Sequence, residues 1–170
     1  MILTKKSFLL VALLGLAACN NPDRFGAGGG LGGAGGIDQS ALGSASDPRS
    51  PAYFMQTVGD KVLFAVDQST ISPEARITLA GQAQWLMANP QYTAIIEGHA
   101  DEQGTREYNL ALGARRANAV QEYLISQGVA PNRLRTVSYG KERPLAICSN
   151  EACYAQNRRA LTVVAPGAGV

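Results

Sequence analysis

The stretch IIEGHADEQGT, residues 95–105, has the strongest chemical potential in the chain. It places three carboxylates and the only histidine between a hydrophobic run and a glycine. Such groups could serve as acid and base in a hydrolysis, hold a metal ion, or bind a positively charged ligand. The surrounding residues decide between these chemistries.

Hydrolysis would have to use His99, Asp101 and Glu102, but no nucleophile, base and orienting residue form a recognisable set. A metal site lacks ligands, because there is one histidine and the cysteines do not have CxxC spacing. We therefore expect a non-enzymatic protein with no catalytic residue, no metal and no cofactor. We expect His99 to shape the turn by donating to the backbone, and Glu102 to be solvated.

Two polar residues interrupt the apolar stripe of the helix predicted after this stretch. Arg116 lies near the centre of the stripe, and Asn109 lies on it one turn before Leu112. A buried guanidinium needs partners, and its planar fork suits a carboxylate. The apolar members are Leu112, Ala119, Val120, Tyr123 and Leu124.

Two aspartates follow predicted strands. Asp101 lies beyond the second strand and Asp67 just beyond the first, and ligands of open α/β sheets bind at the carboxyl ends of strands. Two interpretations stay open at this point. Asp101 and Arg116 could pair as an internal salt bridge, or they could bind opposite charges of one ligand.

The elements that position these residues follow the order βαβαβ(α)β. Strands are predicted at 60–66, 92–98, 133–140 and 158–165, and helices at 72–90, 106–128 and 150–157. Ser72 and Pro73 open the first helix, and Gly128 ends the second. This order predicts an α/β (α+β) sandwich, a four-stranded sheet with helices on one face.

The N-terminal part is not expected to belong to this fold. Residues 1–18 have the basic start, short apolar core and small residues of a signal peptide. LAAC, ending at Cys19, resembles the lipobox of bacterial lipoproteins, in which that cysteine carries lipid, and Asn20 favours sorting to the outer membrane. We expect residues 19–52, rich in glycine, to be a flexible tether and residues 53–170 to be the domain.

Cys148 and Cys153 remain once Cys19 is assigned to lipid. In an exported chain they favour a disulfide over two free thiols. Because CSNEAC is distant from the GH turn in sequence, we expect loss of the bond to leave ligand binding intact. The net charge of +2, without a basic patch, argues against nucleic acid.

The segments IIEGHADEQGTREYNLALGARRANAVQEYL, RLRTVSYGKERP and NRRALTVV closely resemble the OmpA-like peptidoglycan-binding domain, over Val58 to Ala165. That resemblance implies that diaminopimelate of the peptidoglycan stem peptide is the ligand. Asp101 would bind its ammonium and Arg116 its carboxylate, with Asp67 and Asn109 beside them. We expect Asp101→Ala and Arg116→Ala each to abolish binding while the fold survives.

The resemblance also implies the setting. Such a lipoprotein would be lipid-anchored in the outer membrane, face the periplasm, and bind peptidoglycan and the Tol system, chiefly TolB, during cell division. A wall hydrolase using His99, Asp101 and Glu102 is the alternative. Arg158 and Arg159 match the family's NRR arginines, with a mixed structural and rim role. Ala65, Ala100 and Gly113 depart from the usual residues, which puts only secondary hydrogen bonds in doubt.

Overall fold

A computed structural model describes residues 42–167, which contain a mixed four-stranded sheet with helices packed on one face. The strand order is β1-β4-β2-β3. Strands β2 and β3 are parallel, and β4 is antiparallel to both β1 and β2. The predicted fold class is confirmed. The signal peptide, Cys19 and residues 20–41 of the predicted tether lie outside the described residues.

The elements follow one another as short helix, strand, helix, strand, helix, strand, helix, strand. They are α1 Pro51–Tyr53, which continues as a π-helical segment Phe54–Gly59, then β1 Lys61–Leu63, α2 Pro73–Ala88, β2 Tyr92–His99, α3 Arg106–Ser126, β3 Leu134–Gly140, α4 Glu151–Asn157 and β4 Arg159–Pro166. None of the helices within residues 42–167 has the length and apolarity needed to cross a membrane.

The helix starts are set by side-chain caps. The Ser72 hydroxyl accepts the amide N–H of Ala75 at 3.1 Å, and Pro73 is the first residue of α2. Thr105 caps α3 in the same way, accepting the amide of Tyr108 at 3.2 Å. These caps satisfy amides that have no partner within the helix.

Strand β1 is shorter than predicted. It ends at Leu63 instead of Val66, because the chain turns inward to offer its carbonyls to Arg116, which donates to Ala65 and Gln68. Asp67, inside this turn, has a φ of 56°, a left-handed conformation that aspartate tolerates better than most residues. Residues 64–66, which were predicted to continue the strand, therefore belong to the turn instead.

Packing begins N-terminal to the predicted domain start at Tyr53. Pro51 and Ala52, assigned above to the tether, are buried in α1. Further upstream, the Pro48 carbonyl accepts the indole N–H of Trp85 at 2.7 Å. Phe54, fully buried, packs at a tilt against the same indole with ring centroids 4.9 Å apart. This segment closes one end of the core.

Helix α3 crosses the sheet at a close approach between two glycines. A Cβ on Gly98 of β2 would lie 1.8 Å from the carbonyl oxygen of Gly113 on α3. The stripe predicted on α3 is buried except for Ala119 and Tyr123, which are half-buried. Gly113 and Ala117 extend the buried face beside it, because the two glycines permit the closest contact.

The predicted disulfide between Cys148 and Cys153 is confirmed, with Cα atoms 5.7 Å apart. Its loop is not remote from the GH turn. Cys148 lines a cavity of about 170 Å³ together with Ala100 and Glu102, which flank Asp101. The reason given above for expecting independence from ligand binding is therefore wrong, because the loop is distant in sequence only.

Candidate functional site

Three of the four predicted ligand-binding side chains meet around one cavity. Asp67, Asp101 and Asn109 line a space of about 250 Å³ between the turn after β1, the loop after β2 and the first turns of α3. Strands β1 and β2 are not neighbours, but both are antiparallel to β4. Their carboxyl ends therefore lie at the same end of the sheet. The remaining lining residues are Val66, Gln103, Gly104, Tyr108 and Leu112.

Asp101 is nearly buried, and both of its oxygens have partners. Its Oδ1 accepts the Gln103 amide at 3.3 Å, and its Oδ2 lies 3.2 Å from Nη1 of Arg158. The direct Asp101–Arg116 salt bridge considered above does not form. An internal ion pair does exist at this position, but its cation comes from the NRR segment before β4.

Arg116 is fully buried and does not belong to the cavity lining. Its Nε, Nη1 and Nη2 donate to the carbonyls of Gln68, His99 and Ala65 at 2.8, 2.8 and 3.1 Å. Among residues 42–167 no carboxylate approaches its guanidinium within 4.0 Å. The arginine is thus hydrogen-bonded both to the turn after β1 and to the end of β2, while its charge lacks a close counter-ion.

Burial lowers the pKa of Arg116 to about 10, although the charges of Asp101 and Asp67 act in the opposite direction. The side chain is still cationic at neutral pH. Three of its five N–H groups are engaged, so two remain. A buried, cationic guanidinium without a paired carboxylate is a suitable partner for an anionic group of a ligand.

Asn109 lines the cavity and carries an unsatisfied hydrogen-bond acceptor. Its Nδ2 donates to the Gln103 carbonyl at 2.7 Å, which fixes the orientation of the amide. Its Oδ1 is buried and has no partner. An unpaired buried acceptor costs about 1–3 kcal/mol, and because Oδ1 is buried, a ligand N–H would reach it only after a local rearrangement.

Tyr108 joins two walls of the cavity. Its hydroxyl donates to Oδ1 of Asp67, and this hydrogen bond is the main reason that the pKa of the phenol is raised. The guanidinium of Arg115 lies 5.9 Å from the phenol ring centroid. Sequence reasoning missed Tyr108; the signal for it was an exposed aromatic in the first turn of the helix that carries Asn109.

The residues of the alternative hydrolase do not share a site. Asp101 faces the cavity just described, whereas Glu102 lines the separate cavity beside Cys148. The His99 ring packs against Tyr139 with centroids 5.5 Å apart. No group of three potential metal ligands occurs within residues 42–167.

His99 is structural in a way that differs from the expectation. Neither of its ring nitrogens has a hydrogen-bond partner, so it does not donate to the backbone. Nε2 lies 3.5 Å from a Glu97 carboxylate oxygen. Burial, and then the charges of Arg159 and Arg143, lower the pKa of His99 to about 4, so the ring is neutral at physiological pH.

The two NRR arginines have separate roles. Arg158 reaches the Asp101 carboxylate, whereas Arg159 donates to the carbonyls of Arg143 and Asn157 at 3.2 and 3.4 Å. Both are almost completely buried. Sequence reasoning left their roles mixed, because the pairing of Arg158 with Asp101 spans 57 residues.

Comparison with known proteins places these residues within a recognised group. A family model described as OmpA family matches residues 63–158. The peptidoglycan-associated lipoprotein of Mesorhizobium japonicum is 50% identical over 166 residues, covering 94% of this chain and 90% of its own. That of Brucella melitensis is 56% identical over 125 residues, which is 74% of each chain.

Solved structures agree with the fold. The crystal structure of the peptidoglycan-associated lipoprotein from Burkholderia pseudomallei matches with a TM-score of 0.64 and 40% identity, covering 71% of this chain and 98% of that chain. The C-terminal domain of Helicobacter pylori MotB matches with a TM-score of 0.59 over 64% of this chain and 86% of that chain. Its 23% identity indicates a shared fold alone.

Proposed function

The chain belongs to the OmpA family and to its peptidoglycan-associated lipoproteins, and from that premise we propose that it binds peptidoglycan non-covalently through diaminopimelate of the stem peptide. One observation carries the proposal: the carboxylates of Asp67 and Asp101 and the carboxamide residue Asn109 line one cavity. These acceptors suit an ammonium group. The relatives are named for an association with peptidoglycan, not for a reaction.

The end of diaminopimelate carries an ammonium and a carboxylate on the same carbon. The ammonium would lie among the acceptors of the cavity, and Arg116 would attract the carboxylate through its charge. Because Arg116 is fully buried, direct contact requires the Ala65–Gln68 turn to move. A stem peptide with lysine lacks that carboxylate and would be discriminated against by a few kcal/mol.

Binding to purified sacculi tests the proposal. We expect Asp101→Asn and Asp67→Asn to reduce the bound fraction strongly, because each removes a negative charge from the cavity with little change in shape. Glu122→Gln, at an exposed position on α3, is the matched control and should bind as wild type. Wild-type binding by both aspartate variants would refute the proposed ligand site, and release of soluble wall fragments would favour the hydrolase.

We further propose that this binding holds the outer membrane to the cell wall within the Tol-Pal system and supports invagination during division. Lipid on Cys19 would hold the membrane end, and the cavity would hold the wall. TolB is the proposed protein partner, on a surface that overlaps the cavity. Soluble stem peptide should then compete with TolB in a pull-down on the purified domain, and TolB retention unaffected by saturating peptide would contradict the overlap.

A further inference from the structure

Arg158 lies between two carboxylates, only one of which faces the cavity. Its Nη1 lies 3.2 Å from Oδ2 of Asp101 and 3.4 Å from Oε2 of Glu151. Its Nη2 donates to the other oxygen of Glu151, and its Nε to the carbonyl of Phe64 at 3.2 Å. Glu151 therefore takes both terminal nitrogens, whereas Asp101 shares one.

The division of hydrogen bonds affects the charge at the site. Bidentate pairing with a carboxylate is the strongest mode open to a guanidinium. The hydrogen bond with Glu151 is the largest cause of the raised pKa of Arg158, and the same contact lowers the pKa of Glu151. Arg158 and Glu151 are therefore both charged at neutral pH, and the cluster sets two carboxylates against one guanidinium.

Without Glu151, Asp101 and Arg158 would form a neutral pair. Asp101 would then offer a ligand ammonium a carboxylate already compensated by its neighbour. With Glu151 present, the triad keeps a net negative charge beside the cavity. Glu151 does not line the cavity itself, and its carboxylate is largely exposed, so its contact with the site is through Arg158.

We propose that Glu151 is a positioning residue for ammonium recognition, which makes Asp101 available to a ligand ammonium by engaging Arg158 from the other side. The inference rests on the proposed function, because it concerns recognition of the same ammonium. It assigns a ligand-related role to α4, a helix whose residues lie outside the cavity lining.

Glu151 is held in place by its surroundings. It is the first residue of α4, whose start is capped by the Asn150 carboxamide accepting the amides of Ala152 and Cys153 at 3.0 and 3.4 Å. Cys153, in the same turn, is bonded to Cys148. The disulfide loop therefore fixes the helix turn from which Glu151 reaches Arg158.

Glu151→Gln tests the inference by removing the charge while keeping the shape. The matched control is Glu142→Gln, since Glu142 is also exposed and pairs with an arginine, Arg106, at 3.1 Å. Affinity is measured by calorimetry for a soluble diaminopimelate muropeptide, and for the same muropeptide with its free side-chain amine acetylated. Thermal melts of each variant establish that the domain is folded.

We expect Glu151→Gln to bind the free-amine muropeptide about five- to tenfold more weakly, the order set by one unit charge near a protein surface. Glu142→Gln should stay within about twofold of wild type, because its charge is not coupled to Asp101. The acetylated muropeptide should not distinguish Glu151→Gln from wild type, since it has no ammonium to recognise.

Two results would overturn the role of Glu151: equal affinity of the two glutamate variants for the free-amine muropeptide, or an equal loss for both muropeptides. Asp101→Asn separates the inference from the proposed function. If Asp101→Asn loses binding while Glu151→Gln does not, the function stands and the inference falls. If Asp101→Asn binds as wild type, the ligand site itself is wrong.

Discussion

Arg116 is the residue at which structure changes the expected result of a substitution. The sequence predicts that Arg116→Ala keeps the fold, but its guanidinium is buried and donates to three backbone carbonyls. Alanine would strand these carbonyls and open a void, so we expect a loss of roughly 3–5 kcal/mol in the free energy of unfolding. Urea denaturation measures it.

Arg115→Ala is the matched control, because Arg115 is exposed on the same helix. It should change the free energy of unfolding by less than about 1 kcal/mol. An Arg116→Ala protein as stable as Arg115→Ala would show that the carbonyl contacts contribute little. This contrast is also why Asp101→Asn is a sharper test of ligand binding than Arg116→Ala.

His99 should make stability depend on pH. Its folded-state pKa of about 4 lies below the ordinary value of 6.5, so the unfolded chain binds the proton first. Stability is therefore fully present above about pH 6.5 and is lost as pH falls towards about 4, by roughly 3 kcal/mol. Glu97, whose pKa is raised by burial, takes up a proton more readily in the folded protein and so offsets part of this loss as the pH falls.

The measurement is direct, because the chain has one histidine. The imidazole NMR signal of the folded protein should not titrate until close to pH 4. Between pH 6.5 and 4.5 the free energy of unfolding should fall more in wild type than in His99→Gln. A midpoint near 6.5 in the folded protein would mean that the ring is hydrated or paired.

The crossing of α3 over β2 depends on two glycines. A Cβ at Gly98 would overlap the backbone of Gly113, and backbone cannot move aside as a side chain can. We expect Gly98→Ala to destabilise the domain by about 3 kcal/mol or more. Thermal and urea unfolding with an unchanged m-value would measure this.

A second glycine-to-alanine change provides the control. At Gly81 in α2, a new Cβ would meet only Val58, at an ordinary 3.5 Å. Alanine there should stabilise the helix by about 0.5–1 kcal/mol. If both variants shifted stability in the same direction, close approach would not be the reason for Gly98.

The disulfide loop is the element whose predicted role changes most. Reduction, or Cys148→Ser with Cys153→Ser, removes a constraint on a short loop and should cost on the order of 2 kcal/mol of stability. It should also weaken binding of a diaminopimelate muropeptide a few-fold, because Glu151 is held by this loop. Calorimetry with and without reductant measures the change, and equal affinities would show that the Asn150 cap and Arg158 hold Glu151 unaided.

Elements were predictable where a local signal sets them. Ser72, Pro73 and Thr105 mark helix starts through neighbouring amides, so α2 and α3 were located from sequence. The end of β1 was not predictable from sequence. It is set by Arg116, which donates to the Gln68 carbonyl from a position 48 residues further along the chain. Likewise the polar residues on α3 indicated a site, whereas the Asp101–Arg158 pair required the sheet to bring β2 and β4 together.

At the scale of the whole molecule, the site shows why the modest net charge of +2 says little about the ligand. In the proposed function, recognition depends on where charges lie. The carboxylates of Asp67 and Asp101 line the cavity, whereas the guanidinium groups of Arg116 and Arg158 are buried behind it. That separation suits a ligand with both charges on one carbon, and would suit neither a simple cation nor a simple anion as well.

Attachment of the whole molecule should involve two independent contacts, lipid on Cys19 and the cavity at Asp101. Three acyl chains, at about 0.8 kcal/mol for each buried CH₂, would hold the membrane far more firmly than one. Loss of a single contact should therefore not release the protein. We expect Cys19→Ser to stay with sacculi in detergent until lysozyme digests them, and Asp101→Asn to stay with membranes after that digestion.

Fractionation of four proteins tests this expectation: wild type, each single variant, and the double variant. The double variant alone should be soluble without either treatment. Glu122→Gln, at an exposed position on α3, leaves both contacts in place and should fractionate as wild type. If Cys19→Ser still sedimented with membranes after lysozyme and a carbonate wash, the anchor would lie elsewhere in the chain. If it were released before lysozyme treatment, the cavity would not hold the wall firmly enough to act as the second attachment.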